Sequence, residues 1–180
     1  MFRAQIRPEV DLRLIEDRHA DAVFGLVDRE RERLRVWLPW VDATKAVDDT
    51  RSFIEHSLKQ YADNAGFAAG IWVGKKFAGV IGTSKIDWLN ERVEIGYWIG
   101  SEFEGKGIVT DSCRALVTHA FEDLNLHRVE IHCSTQNARS CSIPRKLGFT
   151  CEATLRDALR LYGHFHDRYV FAMLKGDWKG

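Results

Sequence analysis

One stretch of this sequence combines a carboxylate, a glycine loop and the start of a helix. Glu94 lies in the apolar and aromatic run from Val93 to Gly100, which is typical of a strand. A charged segment that contains Gly105 and Gly107 follows this run. The carboxylate is a candidate general base, and the glycine loop is a candidate binding site for an anion.

The segment after the loop is predicted to be an amphipathic helix. Seven apolar residues repeat at the spacing of one helix face: Val109, Cys113, Leu116, Val117, Ala120, Phe121 and Leu124. The first N–H groups of a helix lack intrahelical partners, and the helix N-terminus carries roughly half a positive charge. Because glycine has no side chain, the backbone at Gly105 and Gly107 can approach a phosphate closely. We therefore interpret Glu104 to Val109 as a pyrophosphate cradle.

The same two glycines could instead serve only to shape a turn between strand and helix. Their spacing alone does not decide between a turn and a cradle. A P-loop would need Gly-Lys-Ser/Thr after a longer glycine loop, whereas Gly107 is followed by Ile108 and Val109. A dinucleotide fingerprint would need a third small residue where Thr110 stands. Both of these nucleotide motifs are excluded.

Strands and helices are predicted on both sides of this stretch. In chain order we predict a strand over 11–15, helices over 16–34 and 48–61, strands over 67–73 and 77–87, and the strand that carries Glu94. The helix after the loop, a strand over 127–134, a helix over 138–147 and strands over 150–161 and 165–175 follow. The order β-α-α-β-β-β-α-β-α-β-β predicts an α/β fold with a mixed sheet and helices on both faces.

Two motifs carry a resemblance to a known family. EIGYWIGSEFEGKGIVTDSC, at 94–113, and NARSCSIPRKLGF, at 137–149, resemble the acetyl-CoA-binding core of the GNAT acetyltransferases, most closely the RimJ/RimL-type branch. The resemblance covers nearly the whole chain. It implies one GNAT domain over residues 1–180, with central strands that run parallel and splay apart around the cofactor. The family's loop usually begins with Gln or Arg, so Glu102 at that position is a departure.

The resemblance implies direct transfer of an acetyl group from acetyl-CoA to a primary amine, without a metal. Glu94 matches the position of a catalytic glutamate in several members, and Asp157 is the alternative base. Asn137 is expected to contact the pantetheine arm, and Ser140 is expected to assist departure of the thiolate. The expected cofactor-binding residues are Trp98, Ile99, Glu104, Gly105, Lys106, Gly107, Ile108, Val109, Asn137 and Ser140.

Two of these residues also have structural explanations. Glu94 could pair with Arg92 or Arg128 on the polar side of its strand. Asn137 could cap the predicted helix that it precedes, since asparagine is a preferred N-cap residue. Capping and a cofactor contact can coexist in one asparagine.

Backbone, sulfur and imidazole groups near the same strands are further candidates for a role in catalysis. An N–H near Trp98 or Ile99 is the expected donor to the developing oxyanion. Cys133 lies on the strand beside the expected thioester site, which suggests a covalent acetyl-enzyme as an alternative to direct transfer. His164 and His166 share one face of a strand, but no third ligand stands nearby in sequence, so we expect no metal site.

Charge balance and cysteine spacing argue against several classes of protein. Twenty-six basic and 26 acidic residues give a formal net charge of zero, which argues against general binding to nucleic acid or to a membrane surface. The four cysteines show no C-x-x-C pair and no zinc spacing, so free thiols are expected. The charged run over 29–35 is interpreted as a solvated helix face. With neither an apolar leader nor a run of 18 apolar residues, a cytoplasmic protein is expected.

The acceptor amine has several candidate identities. We expect a protein N-terminal α-amine of the ribosomal-protein type, as the resemblance implies. A polyamine or another small amine is the alternative acceptor, and a non-catalytic acyl-CoA-binding domain is the alternative from a different class. An open groove near Trp37 to Trp40 would favour a peptide, whereas a deep acidic pocket would favour a polyamine. A homodimer, which is common in the family, is a further expectation.

Overall fold

The structure is a computed structural model and describes residues 3–180. Within these residues, five α-helices, α1 to α5, span Ala20–Arg29, Arg31–Leu34, Val47–Ala62, Ile108–Glu122 and Ala138–Lys146. Eight strands, β1 to β8, span Arg3–Arg7, Val10–Leu14, Ala68–Val73, Lys76–Thr83, Arg92–Ile99, Arg128–Ser134, Thr150–Leu161 and His164–Leu174. Within residues 3–180, no helix is both long enough and apolar enough to cross a membrane.

The strands form one mixed sheet that opens in its middle. Their order is β1-β2-β3-β4-β5-β6-β8-β7, and only β5 and β6 pair in parallel. The parallel pairing stops at Glu94 and Glu130, although β5 continues to Ile99 and β6 to Ser134. The two central strands therefore splay apart beyond Glu94, as the resemblance implied.

Helices cover both faces of the sheet because side chains alternate along each strand. Ala69 and Ile71 of β3 lie in the same buried cluster as the apolar face of α4. Ala68 and Trp72 of the same strand lie in a second cluster with side chains of α1 and α3. The predicted α/β class with helices on both faces is confirmed.

Two details of the predicted order are wrong. Two strands, β1 and β2, precede the first helix where one was predicted. The β1 sequence, RAQIR, is short and mostly polar, so it gave no alternating pattern. The helix predicted over 16–34 is also interrupted, because Glu30 leaves helical geometry with φ −100° and ψ 8° between α1 and α2.

Candidate active site

The loop between β5 and α4 requires glycine at two positions. Gly105 and Gly107 have φ values of 73° and 76°, in the left-handed region that side chains with a Cβ avoid. Gly107 is the N-cap residue of α4, and it has no side chain to cover the first N–H groups of the helix. The loop therefore ends with its backbone exposed at a helix start.

The backbone N–H groups of residues 105–110 have no hydrogen-bond partner within the described part of the chain. The next N–H group, that of Asp111, donates to the Gly107 carbonyl at 3.0 Å and begins the helical ladder. Successive unpaired N–H groups at a helix N-terminus form a binding site for an anion such as a phosphate. The geometry fits the interpretation of this loop as a cradle.

A cavity of about 570 Å³ is lined by residues 105 and 107–110 of this loop and helix start. Of the predicted cofactor-binding residues, nine line it: Trp98, Ile99, Glu104, Gly105, Gly107, Ile108, Val109, Asn137 and Ser140. Lys106 is the exception, because its Nζ donates to the Glu102 carbonyl at 2.7 Å. The cavity thus extends from the loop across the end of β5 to the start of α5.

Arg33 of α2 ties the loop to the end of β5. Its Nη1 lies 2.6 Å from Glu104 Oε1, and its Nη2 donates to the Ile99 carbonyl at 2.5 Å. Arg139 contacts the other carboxylate oxygen of Glu104. Arg33 lines the cavity and is only 34% exposed, so interpreting the whole 29–35 run as a solvated face was wrong.

Asn137 and Ser140 lie together at the start of α5, on the other side of the gap. The Asn137 side chain accepts a hydrogen bond from the Ser140 N–H at 3.1 Å, which is the N-cap interaction. The Ser140 hydroxyl donates to the Tyr97 oxygen at 3.3 Å, and the Tyr97 hydroxyl donates to the Ser140 carbonyl at 3.1 Å. Burial raises the pKa of Tyr97, so this phenol stays protonated. Nothing in the sequence pattern marks Tyr97 as a site residue.

The backbone of β5 offers one of its two predicted oxyanion donors to the gap. The Glu94 carbonyl accepts from the Ser84 N–H, and the Gly100 N–H donates to the Ala78 carbonyl, each at 2.8 Å. The Glu94 carbonyl and the Gly100 N–H therefore both point toward β4. Because strand N–H groups alternate in direction, the N–H of Trp98 also points to β4, whereas that of Ile99 faces the gap. Trp98 is therefore unsuited to be the oxyanion donor.

A second cavity, of about 680 Å³, lies on the opposite side of the end of β5. Leu38, Tyr97 and Trp98 line both cavities and so form the boundary between them. The second cavity is mostly apolar, with the half-exposed rings of Trp40 and Phe53 among its lining residues. The segment from Trp37 to Trp40 contributes to both cavities, since Trp37 lines the first and Trp40 the second.

Glu94 lines the second cavity and has two partners. Arg168 Nη2 lies 2.9 Å from Glu94 Oε1, and His132 Nδ1 lies 3.5 Å from Glu94 Oε2. Neither of the arginines considered from the sequence is its partner. Arg92 pairs with Asp87, and Arg128 pairs with Glu130 and Glu152.

His132 links Glu94 to a second carboxylate. Its Nε2 lies 2.8 Å from Glu130 Oε2. Burial opposes ionisation of Glu130, but hydrogen bonds from Arg128 and His132 outweigh it and lower the pKa of this carboxyl. Glu130 therefore remains ionised and fixes the imidazole beside Glu94.

The other candidates are less well placed for catalysis. Asp157 is exposed, lines neither cavity, and its N–H donates to Asp167 Oδ1 at 3.1 Å. Burial raises the pKa of the Cys133 thiol to about 12, which leaves it protonated and weakly nucleophilic at neutral pH. All four cysteines are free thiols. Among residues 3–180, no three His, Cys, Asp or Glu side chains are grouped so as to hold a metal ion.

Comparisons with known proteins bear on the family and the fold of this chain. A family model described as an acetyltransferase (GNAT) domain matches residues 9–150. "Putative ribosomal N-acetyltransferase YdaF" from Bacillus subtilis (strain 168) is 37% identical, over 100% of this chain and 99% of its own length. A solved structure of RimL, a ribosomal α-N-protein acetyltransferase in complex with coenzyme A, has a TM-score of 0.93 and 26% identity over 96% of this chain and 97% of that one. The microcin C7 self-immunity acetyltransferase MccE, solved with acetyl-CoA and AMP, has a TM-score of 0.90 and 28% identity over 94% of each chain.

Proposed function

This chain belongs to the GNAT acetyltransferases, and from that premise we propose that it acetylates the α-amine of a protein N-terminus. The observation that carries the proposal is the meeting of two cavities at the end of β5. One is lined by residues 105 and 107–110, whose N–H groups are unpaired, and the other is lined by Glu94. Tyr97 and Trp98 form part of the boundary, where an acetyl group can pass from one side to the other.

The first cavity binds acetyl-CoA. The N–H groups of residues 105–110 donate hydrogen bonds to the diphosphate, and the gap between β5 and β6 receives the pantetheine arm. Asn137 and Ser140 contact that arm at the start of α5. The thioester then lies near Tyr97, with the Ile99 N–H directed at the position of the developing oxyanion.

The second cavity binds the acceptor. About a tenth of an α-amine with a pKa near 8 is neutral at pH 7, compared with under about 0.1% of a lysine. The neutral nitrogen attacks the thioester carbon and forms the C–N bond, and the tetrahedral intermediate then collapses with loss of the C–S bond. The Ser140 hydroxyl turns from Tyr97 and donates a hydrogen bond to the departing thiolate. Glu94 receives the proton that the amine loses, either directly or through a water molecule.

The chemistry of the second cavity favours a peptide over a polyamine. Its only lining side chains with formal charge, among the described residues, are Asp49 and Glu94. The Asp49 carboxylate accepts from the Lys45 and Ala46 N–H groups at 2.8 and 2.9 Å, and Glu94 is paired with Arg168. Both carboxylates therefore already have partners, and the cavity offers no further carboxylate to the several cationic nitrogens of a polyamine. The apolar walls instead suit uncharged side chains at a peptide N-terminus.

A small-molecule amine is the second candidate acceptor, because MccE, to which this chain is similar, was solved with the small molecule AMP beside acetyl-CoA. The test is release of coenzyme A thiol over a panel of acceptors: peptides with free α-amines, the same peptides blocked at the N-terminus with an internal lysine, spermidine, and an AMP derivative that carries a primary amine. We expect kcat/KM at least about tenfold higher for free α-amines than for the blocked peptides. Preference for spermidine or the AMP derivative would contradict the peptide assignment. Binding of coenzyme A without turnover on any acceptor would indicate a non-catalytic domain.

The homodimer and the cytoplasmic location expected from the sequence remain proposals for this chain. Sedimentation equilibrium at micromolar concentration tests the first, and fractionation of the source cells tests the second.

A further inference from the structure

Arg7, the last residue of β1, contacts the glycine loop from the side of the sheet edge. Its Nη1 lies 2.8 Å from Asp111 Oδ2, and its Nη2 donates to the Lys106 carbonyl at 3.0 Å. A Cβ built on Gly107 would lie 3.7 Å from Arg7 Nη1. One guanidinium thus contacts the loop and the first turn of α4 together.

The contact with the Lys106 carbonyl has a consequence for the neighbouring N–H group. In a trans peptide, the carbonyl oxygen and the following N–H point in opposite directions. Because Arg7 holds the Lys106 carbonyl, the Gly107 N–H is directed away from Arg7. Gly107 lines the 570 Å³ cavity, and its N–H has no partner within residues 3–180.

The second contact of Arg7 places a positive charge beside the Asp111 carboxylate. This carboxylate lies in the first turn of α4, four residues after the Gly107 N-cap. Without a partner it would repel a diphosphate at the same helix end and compete for the N–H groups that the diphosphate needs. The ion pair with Arg7 offsets the negative charge of Asp111 and holds its carboxylate toward β1.

We infer that Arg7 is a positioning residue for the diphosphate of acetyl-CoA. It orients the peptide between Lys106 and Gly107, and it neutralises the charge of Asp111. It contacts neither the thioester nor the acceptor. The inference rests on the proposed cradle at residues 105–110 and extends it to a strand that lies 99 residues earlier in the chain.

The test compares two ligands that differ in the diphosphate. Binding of coenzyme A and of pantetheine, which lacks the diphosphate and the nucleotide, is measured by calorimetry for the wild type and for Arg7→Ala. We expect the Kd for coenzyme A to rise about tenfold and the Kd for pantetheine to change by less than about twofold. A merely structural role would weaken both ligands equally.

Three further variants sharpen the comparison. Arg3→Ala removes an arginine of the same strand that pairs with Asp11 at 3.0 Å, away from the loop, so it should leave both Kd values unchanged. Arg7→Lys keeps the charge but loses the two-pronged geometry, so it should restore only part of the affinity. Adding Asp111→Asn to Arg7→Ala should also restore part of the affinity, because it removes the unpaired carboxylate.

Two results would overturn the inference: an unchanged Kd for coenzyme A in a folded Arg7→Ala protein, or parallel losses for coenzyme A and pantetheine. Thermal unfolding of each variant establishes that it is folded. These measurements need no acceptor, so they stand apart from the identity of the amine. Gly107→Glu tests the cradle separately, since unchanged coenzyme A affinity in that variant would reject the cradle itself.

Discussion

The hydroxyl of Tyr97 donates to the Ser140 carbonyl at 3.1 Å, while the Ser140 hydroxyl donates to the Tyr97 oxygen at 3.3 Å. This reciprocal pair joins β5 to the first turn of α5 across the gap in the sheet. Tyr97 lines both cavities, and Ser140 lines the cavity that contains the loop. The pair therefore fixes the Ser140 hydroxyl where the donor thioester and the acceptor amine are proposed to meet.

Removing either hydroxyl of this pair should slow turnover modestly. A thiol with a pKa near 8.5 is already a fair leaving group, so we expect Ser140→Ala to lower kcat about tenfold. Tyr97→Phe should lower it about threefold by leaving the Ser140 hydroxyl free to rotate. Because the two groups act through one contact, the double variant should be no slower than Ser140→Ala. Steady-state kinetics of the three variants measure this, and multiplicative losses would argue that the hydroxyls act independently.

Glu94 should affect chemistry rather than donor binding. We expect Glu94→Gln to lower kcat about a hundredfold, within the range for general base catalysis, because the amide cannot take the amine proton. The Kd for acetyl-CoA should change by less than about twofold, since Glu94 lines only the second cavity.

Glu152→Gln is the matched control for Glu94→Gln. Glu152 is an exposed carboxylate that pairs with Arg128 and lines neither cavity, so its loss should leave kcat unchanged. If Glu94→Gln turns over at the wild-type rate, Glu94 is only the structural partner of Arg168 and His132.

Asn137 should have two separable roles, in capping and in cofactor binding. Serine keeps a side-chain acceptor for the helix start, whereas alanine removes it. We expect Asn137→Ala to lower the free energy of unfolding by about 1 kcal/mol, and Asn137→Ser to change it by only a few tenths. Both variants lose the amide group, so both should weaken acetyl-CoA binding to a similar extent. Denaturant unfolding and calorimetry measure the two effects, and unaltered affinity in Asn137→Ser would leave capping as the whole role.

Cys133 should be unreactive in the folded protein. Its raised pKa, about 12, keeps the thiol protonated at pH 8, and the thiolate fraction grows only as the pH approaches that value. Iodoacetamide at pH 8 should therefore modify the exposed Cys151 first and spare Cys133, as read by peptide mass spectrometry. Cys133→Ala should retain turnover within about threefold. Trapping of an acetyl group on Cys133 would instead support the covalent route.

The backbone shape of the glycine loop was predictable from the sequence because its determinants are local. Left-handed glycines at 105 and 107, an apolar helix face and a preceding strand all lie within one short segment. The capping role of Asn137 was predictable for the same reason, since an N-cap side chain bonds to an N–H only three residues away.

The arginine contacts that hold the loop in place could not be predicted from the sequence. Arg33 reaches Ile99 over 66 residues, and Arg7 reaches Asp111 over 104 residues. Each arginine lies in a polar segment that reads as ordinary surface, and only the folded sheet brings it to its partner. The role of Tyr97 was hidden likewise, because an aromatic residue in a strand most often indicates core packing.

The proposed transfer depends first on binding of the coenzyme A diphosphate by the backbone N–H groups of residues 105–110. The most direct measurement is a titration of ¹⁵N-labelled protein with coenzyme A, followed by amide chemical shifts, with pantetheine as the parallel titration. We expect the largest shift changes at residues 105–110 with coenzyme A, and small changes at these residues with pantetheine. Binding of coenzyme A that leaves the Gly105 and Gly107 amide signals in place would contradict the account.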